Sequence, residues 1–314
     1  MTDYLNEIAG QNTAKRFIRT ALNKGNLYNF LFVGPRGVGK RTFAFTLAKT
    51  VGCPPRSTNF MLIGPIPSRI KDKEEKIYEY TCQYLPENAT VELEDRSAIL
   101  IEQIRHVIQR LMHMPEKGTK RVVLILEADR MTDEAANCFL KTLEEPPLDT
   151  FFVLTSSRPD YLLPTIRSRC RTVPFSYLRE EQVKTAVFDG NDNYLLGSPG
   201  ETLVLRDRQL IENVYPLFKK CPLNPETAVL TTFEYERKKA IDLFYPLLLL
   251  YRLAFYRKIG QGNTFQTNDA VAQKSELPAQ TIVDALVLLN NSINALDRNP
   301  NRLLLLFNVL TKLP

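Results

Sequence analysis

Apolar positions follow two different periods along this chain, and the change between them divides it. Up to about residue 175, short solid apolar runs alternate with stretches of helical spacing. Phe30–Val33, Val122–Leu126 and Phe151–Leu154 are continuous apolar runs, which predict strands buried on both faces of a parallel sheet. Between them, Ala14, Phe17, Ile18, Ala21 and Leu22 predict a helix over 11–24. A second is expected over Thr42–Val51, and a third from Ser97, where Ile99, Leu100, Ile104, Val107, Ile108 and Leu111 recur and Ser97 or Asp95 caps the start. A fourth spans Asp133–Leu143. Strand and helix in alternation predict a three-layer α/β domain.

After Pro174 the strand pattern stops. Helices are expected over 179–188, from near Glu201, and over 209–219, 226–232, 235–259, 279–297 and 301–313, with Pro246 kinking or breaking the long one. Residues 52–95 fit neither period. With Pro54, Pro55, Pro65, Pro67 and a charged run from Lys71 to Lys76, they predict an irregular insertion with one helix.

Composition narrows the classes of function. A chain of 314 residues with 44% hydrophobic and 24% charged content fits a globular protein of two or three domains. The apolar runs Ile241–Leu250 and Leu303–Leu313 fall far short of the roughly 20 residues a membrane span needs. Asp3 and Glu7 stand where a signal peptide would carry basic residues, so a cytoplasmic protein without membrane contact is expected. A net charge of +6 permits an anionic partner without requiring one. The five cysteines form no CxxC pair, so neither a disulfide framework nor a zinc ribbon is indicated, and Cys138 and Cys170 read as small buried hydrophobes. His106 and His113 lack partners at metal-ligand spacing.

The chemistry is concentrated in GPRGVGKRT, Gly34–Thr42, between a strand and a helix. Its G-x-x-x-x-G-K pattern turns backbone amides toward phosphate oxygens and sets Lys40 against the outer phosphates. Gly34, Gly37, Gly39, Lys40 and Thr42 are therefore the candidate nucleotide-holding residues. Yet the residue after the lysine, usually a serine or threonine that ligates magnesium, is Arg41, and Thr42 lies about 100° further round the helix. The strand ending at Leu126-Glu127 has an aliphatic residue where an aspartate would hold the metal, so Glu127 is vestigial. Both losses strike the same ion, without which the barrier to phosphoryl transfer rises by several kcal/mol. Hydrolysis by this chain should be negligible, while weak ATP or ADP binding stays open.

The segment 135–170, AANCFLKTLEEPPLDTFFVLTSSRPDYLLPTIRSRC, with EADRMT before it, resembles the AAA+ clamp-loader family, most closely the delta-prime type of bacterial DNA polymerase III. GSPGETL at Gly197–Leu203 and NPNRLLLLFNVL near the end extend the resemblance. It implies a RecA-like P-loop domain over 1–175, a helical lid over 176–207 and a helical collar for oligomerisation over 208–314. It implies that Arg169, within Ser168-Arg169-Cys170, acts in trans on ATP bound by a neighbour; the plain alternative is a local ion pair. Ser156 or Ser157 matches the first sensor, and no arginine stands near Gly200 or Glu201 for the second. The four-cysteine zinc module of many relatives is missing, so no zinc and no required cofactor are expected. Candidate DNA contacts are Ser97 and Arg105, with Arg96 and Arg110 nearby. The implied partners are motor (gamma/tau) and delta subunits, the sliding clamp through the complex, and primed DNA. An active gamma/tau-like motor and an AAA+ adaptor outside replication are the alternatives.

Overall fold

A computed structural model describes residues 3–25, 28–67, 70, 74–88, 97–113, 119–187, 197–207, 209–236, 240–260, 269–296 and 301–314. They divide into two compact units, the first running through Leu203 and the second from Val204 onward. The proposed Asp95 cap and Arg96 lie outside the described residues.

In the first unit the elements are α1 (Asn12–Asn23), β1 (Phe30–Val33), α2 (Lys40–Thr50), β2 (Phe60–Ile63), β3 (Ile66–Pro67), α3 (Glu74–Cys82), β4 (Ser97–Ala98) and α4 (Ile101–Leu111). They continue with β5 (Arg121–Ile125), α5 (Asp133–Glu144), β6 (Thr150–Ser156), α6 (Pro164–Ser168), β7 (Arg171–Pro174) and α7 (Glu180–Ala186), and close with α8 (Pro199–Asp207), whose residues from Val204 on count with the second unit. Five strands form a parallel sheet in the order β2-β5-β6-β1-β7.

Successive residues of the solid apolar strands feed opposite faces. Phe30, Phe32, Val122, Leu124, Phe151 and Val153 pack with α1 and α2, whereas Leu31, Val123, Ile125, Phe152 and Leu154 pack with α4 and α5. The expected three-layer α/β domain is what forms. Phe32, Phe43 and Phe175 meet with ring centroids 5.1–5.5 Å apart. Each such pair adds about 0.5–1.5 kcal/mol beyond its buried area. This cluster ties β1, α2 and the chain leaving β7 together directly beneath the glycine loop.

Two expectations are corrected. Residues 52–95 are not merely an irregular insertion, because Phe60–Ile63 supplies an edge strand of the main sheet. The helix expected at Ser97 begins at Ile101; Ser97 instead pairs with Pro67 in a two-stranded antiparallel ribbon and is buried. The Gln103 carboxamide caps α4 by accepting from the Leu100 amide at 2.9 Å. Finally, β7 and α6 went unmarked by periodicity because each is too short to show it.

The second unit is helical: α9 (Leu210–Lys220), α10 (Pro225–Glu236), α11 (Ile241–Lys258), α12 (Asp269–Ser275), α13 (Ala279–Leu296) and α14 (Arg302–Lys312). α11 runs on through Pro246, so the expected break does not fall there; the proline's missing N–H costs the helix one backbone bond without ending it. Tyr251 is fully buried against Phe218, with centroids 5.0 Å apart, and its hydroxyl donates to the Pro314 carbonyl. Among the described residues no helix is long and apolar enough to cross a membrane.

Candidate functional site

Open parallel sheets bind ligands beyond the carboxyl ends of their strands, where chain order reverses. Here that point lies between β1 and β6. The loop after β1 and the residues after β5 and β6 converge there, and the sequence candidates can be placed one by one.

Gly34 follows β1 and its amide donates to the Ser156 carbonyl at 3.3 Å. Gly37 and Gly39 take positive φ, +68° and +96°, as a tight loop entering a helix requires. Lys40 opens α2 and is buried. Its ammonium donates to the carbonyls of Gly34 and Pro35, each at 2.5 Å, and to the Ser157 hydroxyl at 3.0 Å. Of the two serines expected as sensor candidates, Ser157 meets the lysine, while the Ser156 hydroxyl accepts from the Arg158 amide. Thr42 is exposed and joins none of the hydrogen bonds around Lys40.

Burial pushes the Lys40 ammonium down to about 8, against the attraction of Glu127 and Asp129. The unfolded chain holds the same proton to about 10.5, so folding releases it between those values and stability rises with pH across that window. Relative to Lys40→Met, the native chain should gain up to about 3 kcal/mol of unfolding free energy between pH 7.5 and 10.5. Denaturant titrations across that range check this; parallel profiles for the two proteins would show that the lysine stays charged.

The magnesium side is built differently. Leu126 is 2% exposed and belongs to the core that packs against α2. Glu127 takes φ +47°, donates its amide to the Thr155 hydroxyl at 3.0 Å and pairs with Arg130 at 3.0 Å. Arg41 donates to the Asn88 carbonyl at 2.5 Å. Burial lowers its pKa, and Tyr84 and Glu127 lie close enough to oppose that. A fixed guanidinium charge therefore sits in the field of the one carboxylate that survives.

Two residues missed in the sequence belong to this site. Asp129 is nearly buried, accepts from the Ser157 amide at 3.3 Å and pairs with Arg158 at 3.2 Å, so it fixes the loop that presents Ser157. The Gln11 carboxamide donates to the carbonyls of Val38 at 3.1 Å and Ser176 at 2.8 Å, and accepts from the Ser176 amide at 3.3 Å. It stitches the glycine loop to the chain after β7. Neither one glutamine ahead of α1 nor one carboxylate among the charges after β5 gave a sequence signal for these roles.

The segment expected to hold the second sensor rests on the loop itself. The Ser198 hydroxyl donates to the Arg36 carbonyl and the Gly200 amide to the Gly37 carbonyl, both at 2.9 Å. A Cβ on Gly37 would stand 2.3 Å from the Ser198 hydroxyl oxygen, and one on Gly200 2.9 Å from the Gly37 Cα. The start of α8 and the phosphate loop are therefore in backbone contact.

Arg169 lies away from this cleft, just past α6. Cys170 anchors the motif in the core, its thiol pushed up to about 12 by burial. Ser168 is exposed and donates to the Thr165 carbonyl at 3.0 Å. Between them, Arg169 donates to the same carbonyl at 3.0 Å and pairs with Glu144 at 3.1 Å. Its Nε is buried without a hydrogen-bond partner among the described residues. Of the DNA candidates, Arg105 is exposed on α4, but Ser97 is buried in its ribbon and its carbonyl accepts from Arg130 at 3.4 Å. Ser97 is neither a helix cap nor at the surface, which removes the reason for proposing it. Among the described residues no group of three or more metal-capable side chains assembles.

The family model described as DNA polymerase III, delta subunit, matches residues 10–179, more than half of the chain. The chain belongs to that family. Similar curated proteins include DNA polymerase III subunit gamma of Buchnera aphidicola (Schizaphis graminum), 30% identical over 178 residues, covering 56% of this chain and 46% of that one. Subunit gamma/tau of Mycobacterium tuberculosis H37Rv is 32% identical over 178 residues, covering 55% and 28%. Subunit tau of Escherichia coli K12 is 30% identical over 179 residues, covering 57% and 26%. The chain thus spans less than half the length of these relatives. A solved DNA polymerase III gamma subunit-related protein from Thermotoga maritima is 23% identical, with a TM-score of 0.47 and coverage of 95% and 97%.

Proposed function

We propose that this chain is a delta-prime-type subunit of the DNA polymerase III clamp loader, one that assembles with the motors without hydrolysing ATP. One observation carries the reading: the position from which an aspartate would reach magnesium is Leu126, which packs into the hydrophobic core. Arg41 in place of the metal-binding hydroxyl points the same way. The cleft can hold phosphates weakly through Lys40, but it lacks the groups that would neutralise charge on a transferring phosphoryl. No cofactor is required and no zinc is involved.

In this reading Arg169 serves a neighbouring motor's ATP. Its pair with Glu144 leaves the two side chains 30% and 59% exposed. Such a pair is worth at most about 1 kcal/mol, and its unsatisfied Nε costs a comparable amount, so little energy holds the arginine at home. The helices from 208 to 314 act as the collar and 176–207 as the lid. The partners are gamma/tau-type and delta-type subunits, with the sliding clamp and primed DNA engaged through the complex in the cytoplasm.

Relatives named gamma and tau favour a second reading, an active motor; it requires magnesium-dependent turnover that Leu126 and Arg41 oppose. The deciding experiment mixes the purified chain with gamma/tau-type and delta-type subunits, sliding clamp and primed DNA. ATP turnover and clamp loading should rise when the chain is added. Equal loading without it would place the protein outside the loader, as the adaptor alternative requires.

A further inference from the structure

Beside β2 lies a cavity of about 420 Å³ that the nucleotide site does not use. Its walls include Phe60, Met61 and Ile63 of β2, Leu85 after α3, and Val107 of α4, while Arg56, His106, Arg110 and Glu102 stand among its polar lining. That volume and apolar character are those of a ligand site rather than a packing fault.

Among the described residues β2 ends the sheet, with β5 on one side only. The carbonyls of Asn59 and Ile63 accept from the Val122 and Leu126 amides at 3.0 and 2.9 Å, so the main chain of these alternate residues faces β5. In a parallel ladder the intervening residues face the other way, which turns the amide and carbonyl of Leu62 toward the open edge. Open edges with an apolar cavity alongside are where extended peptides add as a further strand, main-chain bonds giving affinity and the cavity giving selectivity.

We propose that this groove receives a short extended peptide of a partner protein, apolar along one face and acidic beside it. The charge of the lining selects the acidic class: the guanidiniums of Arg56 and Arg110 stand against the single carboxylate of Glu102. Arg56 is held by Glu87 at 3.3 Å with side chains 70% and 57% exposed. An exposed pair of that kind contributes about 1 kcal/mol at most, so an incoming carboxylate exchanges for Glu87 readily. A lone amphiphile would fill the cavity but leave the Leu62 main chain unpaired, and the apolar walls disfavour nucleic acid.

The test is selection of a random dodecapeptide phage library on the full chain, followed by binding of the enriched peptides in solution. The expected peptides place apolar residues at alternate positions next to an acidic one, and their binding slows hydrogen exchange at the Leu62 amide. Arg110→Glu, an exposed change on α4, should weaken them at least tenfold, and Val107→Trp should abolish binding by filling the cavity. Native melting curves for Arg110→Glu guard against simple misfolding. Three results would overturn the proposal: no enriched peptide sensitive to Arg110→Glu, enriched peptides of helical spacing that leave Leu62 exchange unchanged, or decanoate occupying the cavity while peptides do not.

Discussion

Replacing Arg169 by alanine should leave this chain folded and assembled with its motors, yet reduce ATP turnover of the reconstituted complex by about 10³-fold or more, as loss of a trans arginine does elsewhere. The local cost is small, because the Glu144 pair is exposed and the Nε is already unsatisfied. If Arg169 serves a neighbour's ATP as proposed, the catalytic cost is large, because charge spreading over the transferring phosphoryl loses a compensating cation. Glu144→Gln is the matched control. It removes the local partner and keeps the guanidinium, so turnover should hold or rise. Melting temperature, gel-filtration profile and steady-state turnover of the three complexes separate the outcomes, and full turnover by the alanine complex would leave Arg169 with only its local ion pair.

The second large effect concerns the glycine loop, where one motif hides two different constraints. A Cβ on Gly34 would lie 2.2 Å from the Phe175 carbonyl oxygen, and the Phe175 amide is bonded to the Val33 carbonyl at 2.7 Å. Backbone cannot retreat without breaking the β1–β7 connection, so Gly34→Ala should destabilise by about 3 kcal/mol, the upper end for overpacking. Gly39 has open space around its Cβ direction but takes φ +96°. Gly39→Ala should therefore cost only the strain of that conformation, about 1 kcal/mol, the lower end for a residue held in such a region. Urea unfolding without nucleotide ranks the two. Equal losses would mean the approach of Phe175 is not what demands glycine at position 34.

That contrast marks how far the sequence could be read. The phosphate loop, the lost magnesium positions and the three central strands were legible because each is a continuous local pattern flanked by the right elements. β2 was hidden among prolines, and four apolar residues there read equally well as loop. The start of α4 was misplaced because Ile99 and Leu100 continue the helical spacing although Ile99 lies beside Met131 in an isolated bridge. Asp129, Gln11 and the seat of α8 on Gly37 depend on contacts between segments far apart in the chain. No spacing rule contains that information, and of the two serines expected as candidates only Ser157 lies within hydrogen-bond reach of Lys40, at 3.0 Å.

The most direct measurement is magnesium-dependent ATP turnover by the isolated chain, compared with Lys40→Ala. With Leu126 in the core and Arg41 beside Glu127, turnover should be indistinguishable from that of the alanine protein at every magnesium concentration. Magnesium-dependent turnover that disappears in Lys40→Ala would contradict the account and make this chain a motor.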